Sequence, residues 1–433
     1  MATRRQLLLG GASVAGAAAL SPLIGTGDGA AAAGARAATV HPDLPAPGAS
    51  GIDHIVVLCM ENRSFDHILG WLPGANGRQA GLAYPDKTGA LRPTYHLSTF
   101  QGCGHPDPDH SYNGARAEYH NGACDGWLQV NDEFSIGYYR QADLPFLGHA
   151  APAWTACDNY YAATLGPTFP NRIYLHSAQT DRLDDSVSPT SLPTIWDRLG
   201  AAGVTRRYYY NDLPFLSLWG LKYVGISHTY STFLSDAASG NLPAVSYVDP
   251  PLFLESVDGL ARDDHPHGDI RNGEATMNGV YRAVTRSPAW PRTVLVITFD
   301  EWGGFFDHVA PTVAPDVNPA VTGLRGFRVP ALVVSPFAQR GAVAHALYDH
   351  TSILRMIEWR FGLAPLTPRD AAARNLAEVL DFGAPNVSAP QWTVNSVFAL
   401  PCFLQGTNPL GNSGTQGMSA LRRRAAAQGW PGQ

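Results

Sequence analysis

The sequence predicts an α/β fold in which a central, mostly parallel (mixed) sheet is sandwiched between layers of helices. Short apolar runs of strand length alternate along the chain with segments of helical spacing, as in folds whose parallel strands are connected by helices. Two of these runs are continuous rather than alternating, which is typical of strands buried on both faces. With 433 residues and a hydrophobic fraction of 45%, the chain has enough apolar side chains for a large core.

The predicted elements follow in chain order. The first strand covers residues 55–60, and an irregular region rich in Gly, Pro, Asp and His extends from about residue 71 to 125. A helix is expected at 191–203, with Ser191 as its cap and Gly200 as its stop. The later elements are strands at 206–212, 244–250, 294–299 and 331–337, and helices at 272–287 and 352–361.

Four segments are predicted along the chain. Residues 1–38 resemble a twin-arginine signal peptide, because paired arginines precede a weakly apolar Gly/Ala-rich stretch. An ordinary secretory signal or a membrane anchor is the alternative. Residues 39–50 form a linker, residues 51–404 the main catalytic domain, and residues 405–433, rich in Gly, Asn, Ser and Gln, a loosely ordered tail. We therefore expect a protein that is secreted or associated with the cell wall, exported by the twin-arginine pathway.

Charge and hydropathy exclude two classes of protein. The formal net charge of -6 argues against a nucleic-acid binder, whose surface would carry a basic patch. After the predicted signal the sequence has no stretch of about 20 apolar residues, so no transmembrane span is predicted in the mature chain.

Cysteine content predicts a disulfide. Five cysteines occur in a chain expected to meet an oxidising environment, and an odd number leaves at least one unpaired. Cys103 and Cys124 flank a polar loop and are the pair that we expect to be bonded, whereas Cys59 belongs to a buried strand. The spacing of the cysteines lacks CxxC, so a thiolate zinc site is not predicted.

Oxygen-bearing side chains follow directly after the two continuous strands. Glu61 and Asn62 come after the first, and Asp300 and Glu301 come after the strand at 294–299. Open α/β sheets bind ligands at the carboxyl ends of their strands, so we expect these four side chains to converge on a divalent cation. Taken alone, Glu61 and Asn62 are explained equally well as a cap of the next helix.

The segment TLGPTFPNR presents a hydroxyl in a turn. Thr168 lies between two prolines, ahead of a helix expected to begin near Asn171. The N-H groups and dipole of a helix start would stabilise an oxyanion and a bound phosphate, and a metal would lower the pKa of the hydroxyl. The alternative is a turn whose threonine bonds to its own backbone.

Histidines in proline-rich acidic loops supply further candidates. CGHPDPDHSY carries His105 and His110, and RDDHPHGDIR carries His265 and His267. An imidazolium can pair with phosphate or protonate a leaving alkoxide, and a neutral imidazole can bind metal. For any single one of them, a solvated loop histidine is the commoner explanation.

Two Asp-His pairs follow later in the chain. Asp307 precedes His308, and Asp349 precedes His350 at the start of the last predicted helix. Each aspartate could orient the histidine beside it. A helix cap is the preferred explanation of Asp349, whereas for His308 a site role and a structural role are evenly balanced.

The motifs ENRSFDH, DPDH, GPTFPNR, DHP, FDEWGGFFDHV and DHTSILR occur in this order over roughly residues 50–385. Together they resemble the phosphoesterase family that contains bacterial phospholipases C, acid phosphatases and plant non-specific phospholipases C. The resemblance implies an alkaline-phosphatase-like fold and a hydrolase acting on phosphoester bonds. The acid phosphatase branch has serine at the position of Thr168, so the threonine favours the phospholipases.

The resemblance also implies roles for individual residues. Thr168 is the nucleophile that becomes transiently phosphorylated, and His110 and His265 contact the phosphate or protonate the departing alcohol. One divalent metal ion, calcium, magnesium or zinc, is bound by Glu61, Asn62, Thr168, Asp300 and Glu301. The candidate substrate-binding residues are His110, His265, His267, Asn171 and His308.

The sequence therefore predicts an exported phospholipase C that cleaves the glycerol-side phosphoester to give diacylglycerol and a phosphorylated head group. A phosphomonoesterase with the same site is the alternative, and a non-catalytic protein that binds phosphorylated ligands or cations is the remote one. We expect a monomer that contacts its phospholipid substrate at a membrane surface transiently. The apolar segment 213–226 would line the entrance or dip into the interface, although a buried core turn explains it at least as well.

Overall fold

A mixed sheet of nine strands lies at the centre of the residues that the structure describes. The computed structural model describes residues 35–252, 259–405 and 413–432. The strands are β1 (Arg36–Ala37), β2 (His54–Met60), β3 (Ala83–Pro85), β4 (Leu91–Pro93), β5 (Tyr95–His96), β6 (Gly137–Tyr138), β7 (Thr155–Cys157), β8 (Tyr160–Tyr161), β9 (Arg206–Tyr210), β10 (Ser227–Thr229), β11 (Val245–Val248), β12 (Thr293–Phe299), β13 (Ala331–Val334), β14 (Ala342–Ala344) and β15 (Tyr348–Asp349).

Helices connect and cover these strands. They are α1 (Phe65–Leu69), α2 (Tyr112–Tyr119), α3 (Trp127–Val130), α4 (Leu147–Ala153), α5 (Thr168–Ser177), α6 (Ile195–Ala201), α7 (Tyr230–Ser239), α8 (Ile270–Thr285), α9 (Pro319–Thr322), α10 (His350–Phe361), α11 (Pro368–Ala371) and α12 (Ser413–Gln428). Within the described ranges, no helix is both long enough and apolar enough to cross a bilayer.

The order of strands in the main sheet is β1-β14-β7-β13-β12-β2-β11-β9-β10. Neighbouring strands run parallel except at β13, which is antiparallel to both β12 and β7. This pattern confirms the predicted α/β fold class with a mostly parallel sheet. In the parallel pair of β2 and β12, Met60 lies opposite Phe299, so the residues that follow these two strands leave the sheet side by side.

The two central strands are buried on both faces. Every residue of β12 is buried, as are all residues of β2 after His54. Because successive strand side chains point to opposite faces, both faces of the sheet must be covered. Helix α8 packs against β2 and β12, and α10 packs against α5, which fixes the helix that begins at Thr168.

The predicted helices at 272–287 and 352–361 are present, each beginning two residues earlier than expected. In α10, the carboxylate of Asp349 accepts a hydrogen bond from the Thr351 N-H at 2.9 Å, so the cap explanation of Asp349 is confirmed. The helix expected at 191–203 is shorter, and its cap is Thr194 rather than Ser191, because Thr194 forms a capping box with Asp197.

The predicted disulfide between Cys103 and Cys124 is wrong. Cys103 is bonded to Cys402, 299 residues further along the chain, and Cys124 is a buried free thiol. The error has a physical reason: a carboxyl-terminal segment folds back onto the polar loop, and a return over such a distance leaves no local pattern in the sequence.

The prediction of a loosely ordered tail is wrong for residues 413–428, which form α12. Its buried residues Met418, Leu421 and Ala425 have helical spacing, and the helix packs against the turn Phe215–Trp219. The surrounding Gly, Asn, Ser and Gln residues hid this spacing in the sequence. Residues 406–412 of the predicted tail lie outside the described residues.

Two other predicted segments have different structures. The apolar residues of 213–226 that were candidates for a membrane entrance, Phe215, Leu216, Leu218 and Trp219, are buried, so this segment is a core turn. Arg36 and Ala37, which fall within the predicted signal peptide, form β1 at the edge of the main sheet and pair with β14. The remainder of the predicted signal, residues 1–34, lies outside the described part of the chain.

Candidate active site

The oxygen-bearing residues after β2 and β12 meet at one edge of the sheet, as predicted. The Asn62 N-H donates to Asp300 Oδ1 at 3.1 Å, and the Glu301 N-H donates to the same oxygen at 2.7 Å. Glu61 and its three partners are all fully buried. The register of the two parallel strands therefore places both acidic strand ends in contact.

Thr168 is the first residue of α5 and faces this group. Its Oγ1 lies 3.4 Å from Glu61 Oε2 and 3.4 Å from Asn62 Oδ1, at the long end of the hydrogen-bond range. The contacts therefore join Thr168 to Glu61 and Asn62, and Asn62 and the Glu301 backbone to Asp300, while their role as ligands of one metal stays a prediction. We call Glu61, Asn62, Thr168, Asp300 and Glu301 the strand-end site.

The turn before Thr168 is held by Asn171. Its Oδ1 accepts the Thr164 N-H at 2.9 Å, and its Nδ2 donates to Gly166 O at 2.7 Å. The buried amide thus bonds to the backbone through both of its polar atoms. These bonds support a positioning role for Asn171, and its predicted contact with substrate stays a prediction. The expected helix start near Asn171 is corrected, since α5 begins at Thr168.

The amino end of α5 does not form the predicted phosphate cradle. The Phe169 N-H donates to Asp185 Oδ1 at 2.8 Å, and the next residue, Pro170, has no N-H. A carboxylate therefore takes the place that the helix dipole would offer to an anion. Positive charge near Thr168 comes from side chains instead.

Arg172 is the nearest of these, and the sequence analysis missed it. Its Nε donates to Glu61 Oε1 at 2.7 Å and to Asp300 Oδ2 at 3.2 Å. Burial alone would lower the pKa of Arg172, but Glu61 and the neighbouring acids raise it well above its ordinary value. The sequence could have identified Arg172 as a neighbour of the site. Arg172 follows Thr168 by four residues, so it lies on the same face of the helix.

Asp249 adds a third acidic strand end. It follows β11, which pairs with β2, and its Oδ1 accepts a hydrogen bond from Arg172 Nη1 at 3.1 Å. The Tyr208 hydroxyl donates to its other oxygen. An acid directly after an apolar strand, in the run VSYVD, was the same signal that identified Glu61 and Asp300.

Two of the predicted histidines lie beside the strand-end site. His110 Nε2 lies 3.4 Å from Asn62 Nδ2, and His265 Nε2 lies 3.4 Å from Asp107 Oδ2. One ligand atom from each of Asp107, His110 and His265 lies within 4.8 Å of the others. Asp107 belongs to the DPDH loop but was not nominated from the sequence.

These groups favour each other's charged forms. Burial opposes the charged form of His110, but Glu301 and Asp107 outweigh it and raise the pKa of His110 to about 9. Burial would likewise raise the pKa of Asp107, but His265 and His110 hold it well below its ordinary value. The arrangement can therefore present imidazolium groups to an anion.

The loops that carry these groups are fastened to the strand ends. Arg63 Nε donates to Asp264 O at 2.6 Å, and the Glu61 N-H donates to Asp263 O at 2.7 Å, which holds the loop of His265 in place. Gly303 has a φ of +64°, and a Cβ there would lie 2.1 Å from the carbonyl oxygen of Asn62. Only glycine allows the chain after Glu301 to pass so close to Asn62.

His267 contacts His105 beside the site. The ring of His267 lies 6.3 Å from that of His265, but its Nε2 contacts His105 O at 3.0 Å. His105 in turn pairs with Asp132 at 2.8 Å. These contacts support a role for His267 in shaping the loop, and its predicted contact with substrate stays a prediction.

The structure places His308 in a second cluster, and its predicted contact with substrate stays a prediction. His308 Nδ1 lies 2.5 Å from Asp66 Oδ2, and Arg328 binds Asp66 at 3.1 Å and Asp307 at 2.9 Å. We call Asp66, Asp307, His308 and Arg328 the Arg328 cluster. His350 is structural, since its buried Nε2 contacts Phe299 O at 2.9 Å.

The strand-end site offers oxygen ligands, but Arg172 already bridges Glu61 and Asp300, so a cation bound there stays a prediction. Glu301 Oε2 accepts the Gly303 N-H at 2.7 Å, and its buried Oε1 has no hydrogen-bond partner in the described residues. Burial raises the pKa of Glu301 well above its ordinary value, and His110 opposes that rise. Among the described residues, the groups whose ligand atoms lie within 4.8 Å of one another are Asp107, His110 and His265, and Asp66, Asp307 and His308. Carboxylate, amide and hydroxyl oxygens suit calcium or magnesium, and the neighbouring imidazoles also permit zinc.

Comparison with known proteins gives matches over most of the chain. The model of the phosphoesterase family matches residues 52–364. Phospholipase C B of Mycobacterium tuberculosis is 32% identical over 82% of this chain and 83% of the relative. Non-specific phospholipase C6 of Arabidopsis thaliana is 32% identical over 76% and 72%, and the non-hemolytic phospholipase C of Pseudomonas aeruginosa is 31% identical over 77% and 58%.

Among solved structures, a protein in the alkaline phosphatase superfamily from Vibrio parahaemolyticus aligns with 78% of this chain and 72% of its own. The TM-score is 0.38 and the sequence identity is 10%. This likeness is too distant to bear on the chemistry of the site.

Proposed function

Because the chain belongs to the phosphoesterase family, we propose that this phosphoester hydrolase is a phospholipase C. It cleaves the bond between phosphorus and the glycerol oxygen of a phospholipid, giving diacylglycerol and a phosphorylated head group. The observation that carries the proposal is the convergence of the Thr168 hydroxyl with buried acids and with His110 at one sheet edge. The names of the relatives, which cover most of the chain, support the phospholipid as substrate.

In the proposed reaction Thr168 Oγ forms a bond to phosphorus while the bond from phosphorus to the glycerol oxygen breaks. The Thr168 hydroxyl points toward Glu61 Oε2, which gives its proton a route away from the attacking oxygen. An imidazolium, His110 or His265, donates a proton to the departing alkoxide. Water then attacks the phosphothreonine, releases the phosphorylated head group and restores the hydroxyl.

The remaining residues hold charge and geometry. The strand-end site would hold one divalent cation, which when bound would lower the pKa of the Thr168 hydroxyl and offset negative charge on the phosphate. Arg172 holds the carboxylates of Glu61 and Asp300 in place through its two hydrogen bonds. Asn171 fixes the turn, so Thr168 starts the reaction already in place.

Product analysis tests the proposal. The purified enzyme is given phosphatidylcholine in mixed micelles and, at equal enzyme concentration, a soluble phosphomonoester. We expect diacylglycerol and phosphocholine as products, and acid quenching during turnover of a lipid labelled in its head group should trap the phosphocholine group on a peptide containing Thr168. Faster turnover of the monoester, or release of free choline, would overturn the phospholipase C assignment.

Export through the twin-arginine pathway is a second part of the proposal. It is supported by the paired arginines Arg4 and Arg5 and by the Cys103–Cys402 disulfide, since such bonds persist in oxidising compartments. Replacing both arginines by lysine should retain the protein in the cytoplasm of the producing cell. Unchanged export of that variant would contradict the route.

A further inference from the structure

An exposed apolar segment lies near the carboxyl end of the chain. The side chains of Phe398, Leu400, Phe403 and Leu404 are 89%, 46%, 62% and 62% exposed, whereas Cys402 between them is buried. Soluble proteins rarely expose several large apolar side chains in one place. We call residues 398–404 the apolar segment.

Direct bonds hold the apolar segment next to the catalytic loop. Cys402 is bonded to Cys103, and Gln101 Nε2 donates to Leu400 O at 3.0 Å. The loop that begins at Gln101 continues to Asp107 and His110, both of which line the site. Whatever binds the apolar segment is therefore held beside the groups that act on phosphate.

Composition around the segment favours a lipid surface. The sequence from residue 382 to 421 has no charged side chain, although the chain as a whole has a net charge of -6. Phenylalanine and leucine are the side chains that enter the boundary between head groups and acyl chains. A stretch without charge enters that boundary without the cost of burying an ion.

Basic residues follow directly after this uncharged stretch. Arg422, Arg423 and Arg424 lie on α12, and Arg423 is exposed. Near the start of the same helix, a Cβ built on Gly417 would lie 3.5 Å from the ring of Phe169, which is adjacent to Thr168. Helix α12 thus passes close to Phe169, and its exposed Arg423 lies near the acidic residues Asp184 and Asp185.

We propose that the apolar segment is the surface by which this protein docks on a phospholipid bilayer. The proposal rests on the phospholipase C function proposed above, because it names the surface that brings the substrate to that site. It differs from the contact expected at 213–226, where Phe215, Leu216, Leu218 and Trp219 are buried.

A triple variant, Phe398→Ser, Phe403→Ser and Leu404→Ser, tests the docking surface. Vesicles of phosphatidylcholine and phosphatidylglycerol are sedimented with each protein, and turnover is measured on vesicles and on a soluble monomeric phosphodiester. We expect vesicle affinity and vesicle turnover to fall at least about tenfold while turnover of the soluble substrate stays unchanged. Leu91→Ser is the matched control, since Leu91 is 68% exposed on β4, and it should bind vesicles like the wild type.

Several results would overturn the docking surface. These are wild-type vesicle binding by the triple variant, equal loss of binding in the Leu91 control, or a fall in soluble turnover that matches the fall on vesicles. A change from dimer to monomer in the triple variant would assign the segment to self-association instead. Circular dichroism and thiol titration check that the fold and the Cys103–Cys402 bond are retained.

Failure of the proposed function is distinguishable from failure of the docking surface. If the wild type hydrolyses no phospholipid but binds vesicles through the apolar segment, the docking surface stands and the phospholipase C assignment falls. If the wild type hydrolyses phospholipid and the triple variant still binds vesicles, the phospholipase C assignment stands and the docking surface falls.

Discussion

The Arg328 cluster and the strand-end site both contain buried carboxylates, and they differ in how the carboxylate oxygens are satisfied. In the Arg328 cluster, Asp66 and Asp307 accept hydrogen bonds from Arg328 and from backbone N-H groups on all of their oxygens. In the strand-end site Arg172 also reaches two carboxylates, yet among the residues described Glu301 Oε1 has no hydrogen-bond partner. Similar side chains are therefore fully hydrogen-bonded in one place and leave one carboxylate oxygen without a donor in the other.

The free oxygen, and not the arginine, distinguishes the two clusters. Both contain an arginine that binds two carboxylates. A buried carboxylate oxygen without a donor is uncommon in folded proteins and needs an explanation, such as a bound ion. Within the described part of the chain Glu301 Oε1 is such an oxygen, whereas the oxygens of Asp66 and Asp307 all have donors.

Thr168→Ala should have the largest effect, because it removes the oxygen that attacks phosphorus. We expect kcat to fall by roughly 1000-fold or more, equivalent to about 4 kcal/mol in the barrier, with a melting temperature close to that of the wild type. Thr168→Ser is the matched control, since it returns a hydroxyl and should recover part of the rate. Near wild-type turnover by a folded Thr168→Ala protein would refute the assignment of the strand-end site as the catalytic centre.

Arg328→Met should test whether the Arg328 cluster stabilises the fold. It leaves Asp66 and Asp307 buried without their cation, so we expect a loss of about 3–5 kcal/mol in the free energy of unfolding, measured with urea. Turnover by the folded fraction should remain near the wild-type value. Adding Asp307→Asn should restore part of the stability, because it removes one of the two stranded charges. Lost activity with unchanged stability would reverse the roles of the two clusters.

Removal and return of metal should separate the clusters directly. After chelation, calcium, magnesium or zinc at about 100 times its dissociation constant should stabilise the wild type by about 2.7 kcal/mol, seen as a rise in melting temperature and recovery of turnover. Glu301→Gln should weaken the response, because it removes a ligand charge. Asp307→Asn is the control and should respond like the wild type. A response abolished by Asp307→Asn, and not by Glu301→Gln, would place the metal in the Arg328 cluster.

His308→Gln should have the smallest effect on turnover. Since His308 belongs to the Arg328 cluster, we expect a change in kcat of less than about threefold, or about 0.7 kcal/mol. His265→Gln is the paired variant, and loss of a proton donor or phosphate contact should cost roughly 100-fold to 10,000-fold. Equal effects of the two substitutions would show that the clusters act together in catalysis.

The sequence sufficed for those parts of the site that local patterns encode. Glu61 and Asp300 were found because each follows a continuous apolar run, and the parallel register of β2 and β12 makes such ends meet. Thr168 was found because two prolines mark its turn. The fold class followed from the same alternation of strands and helices.

Other features depend on how distant segments pack. Asn171 was assigned to substrate, because the sequence does not show that its amide closes the turn of residues 164–167. His308 was placed among the substrate ligands because its motif resembles the others, whereas its position depends on Arg328, twenty residues later. The partner of Cys103 depended on a segment that returns across nearly the whole chain.

The Cys103–Cys402 bond has a consequence for the chain once it has been cut. Because the two cysteines are 299 residues apart, a protease that cleaves any single peptide bond between them produces two pieces that remain one covalent molecule. A nicked protein therefore keeps Thr168, His110 and His265 joined, and it should migrate as two fragments only after reduction. If the protein is exported as proposed, a first cleavage by an extracellular protease would leave it as one covalent molecule.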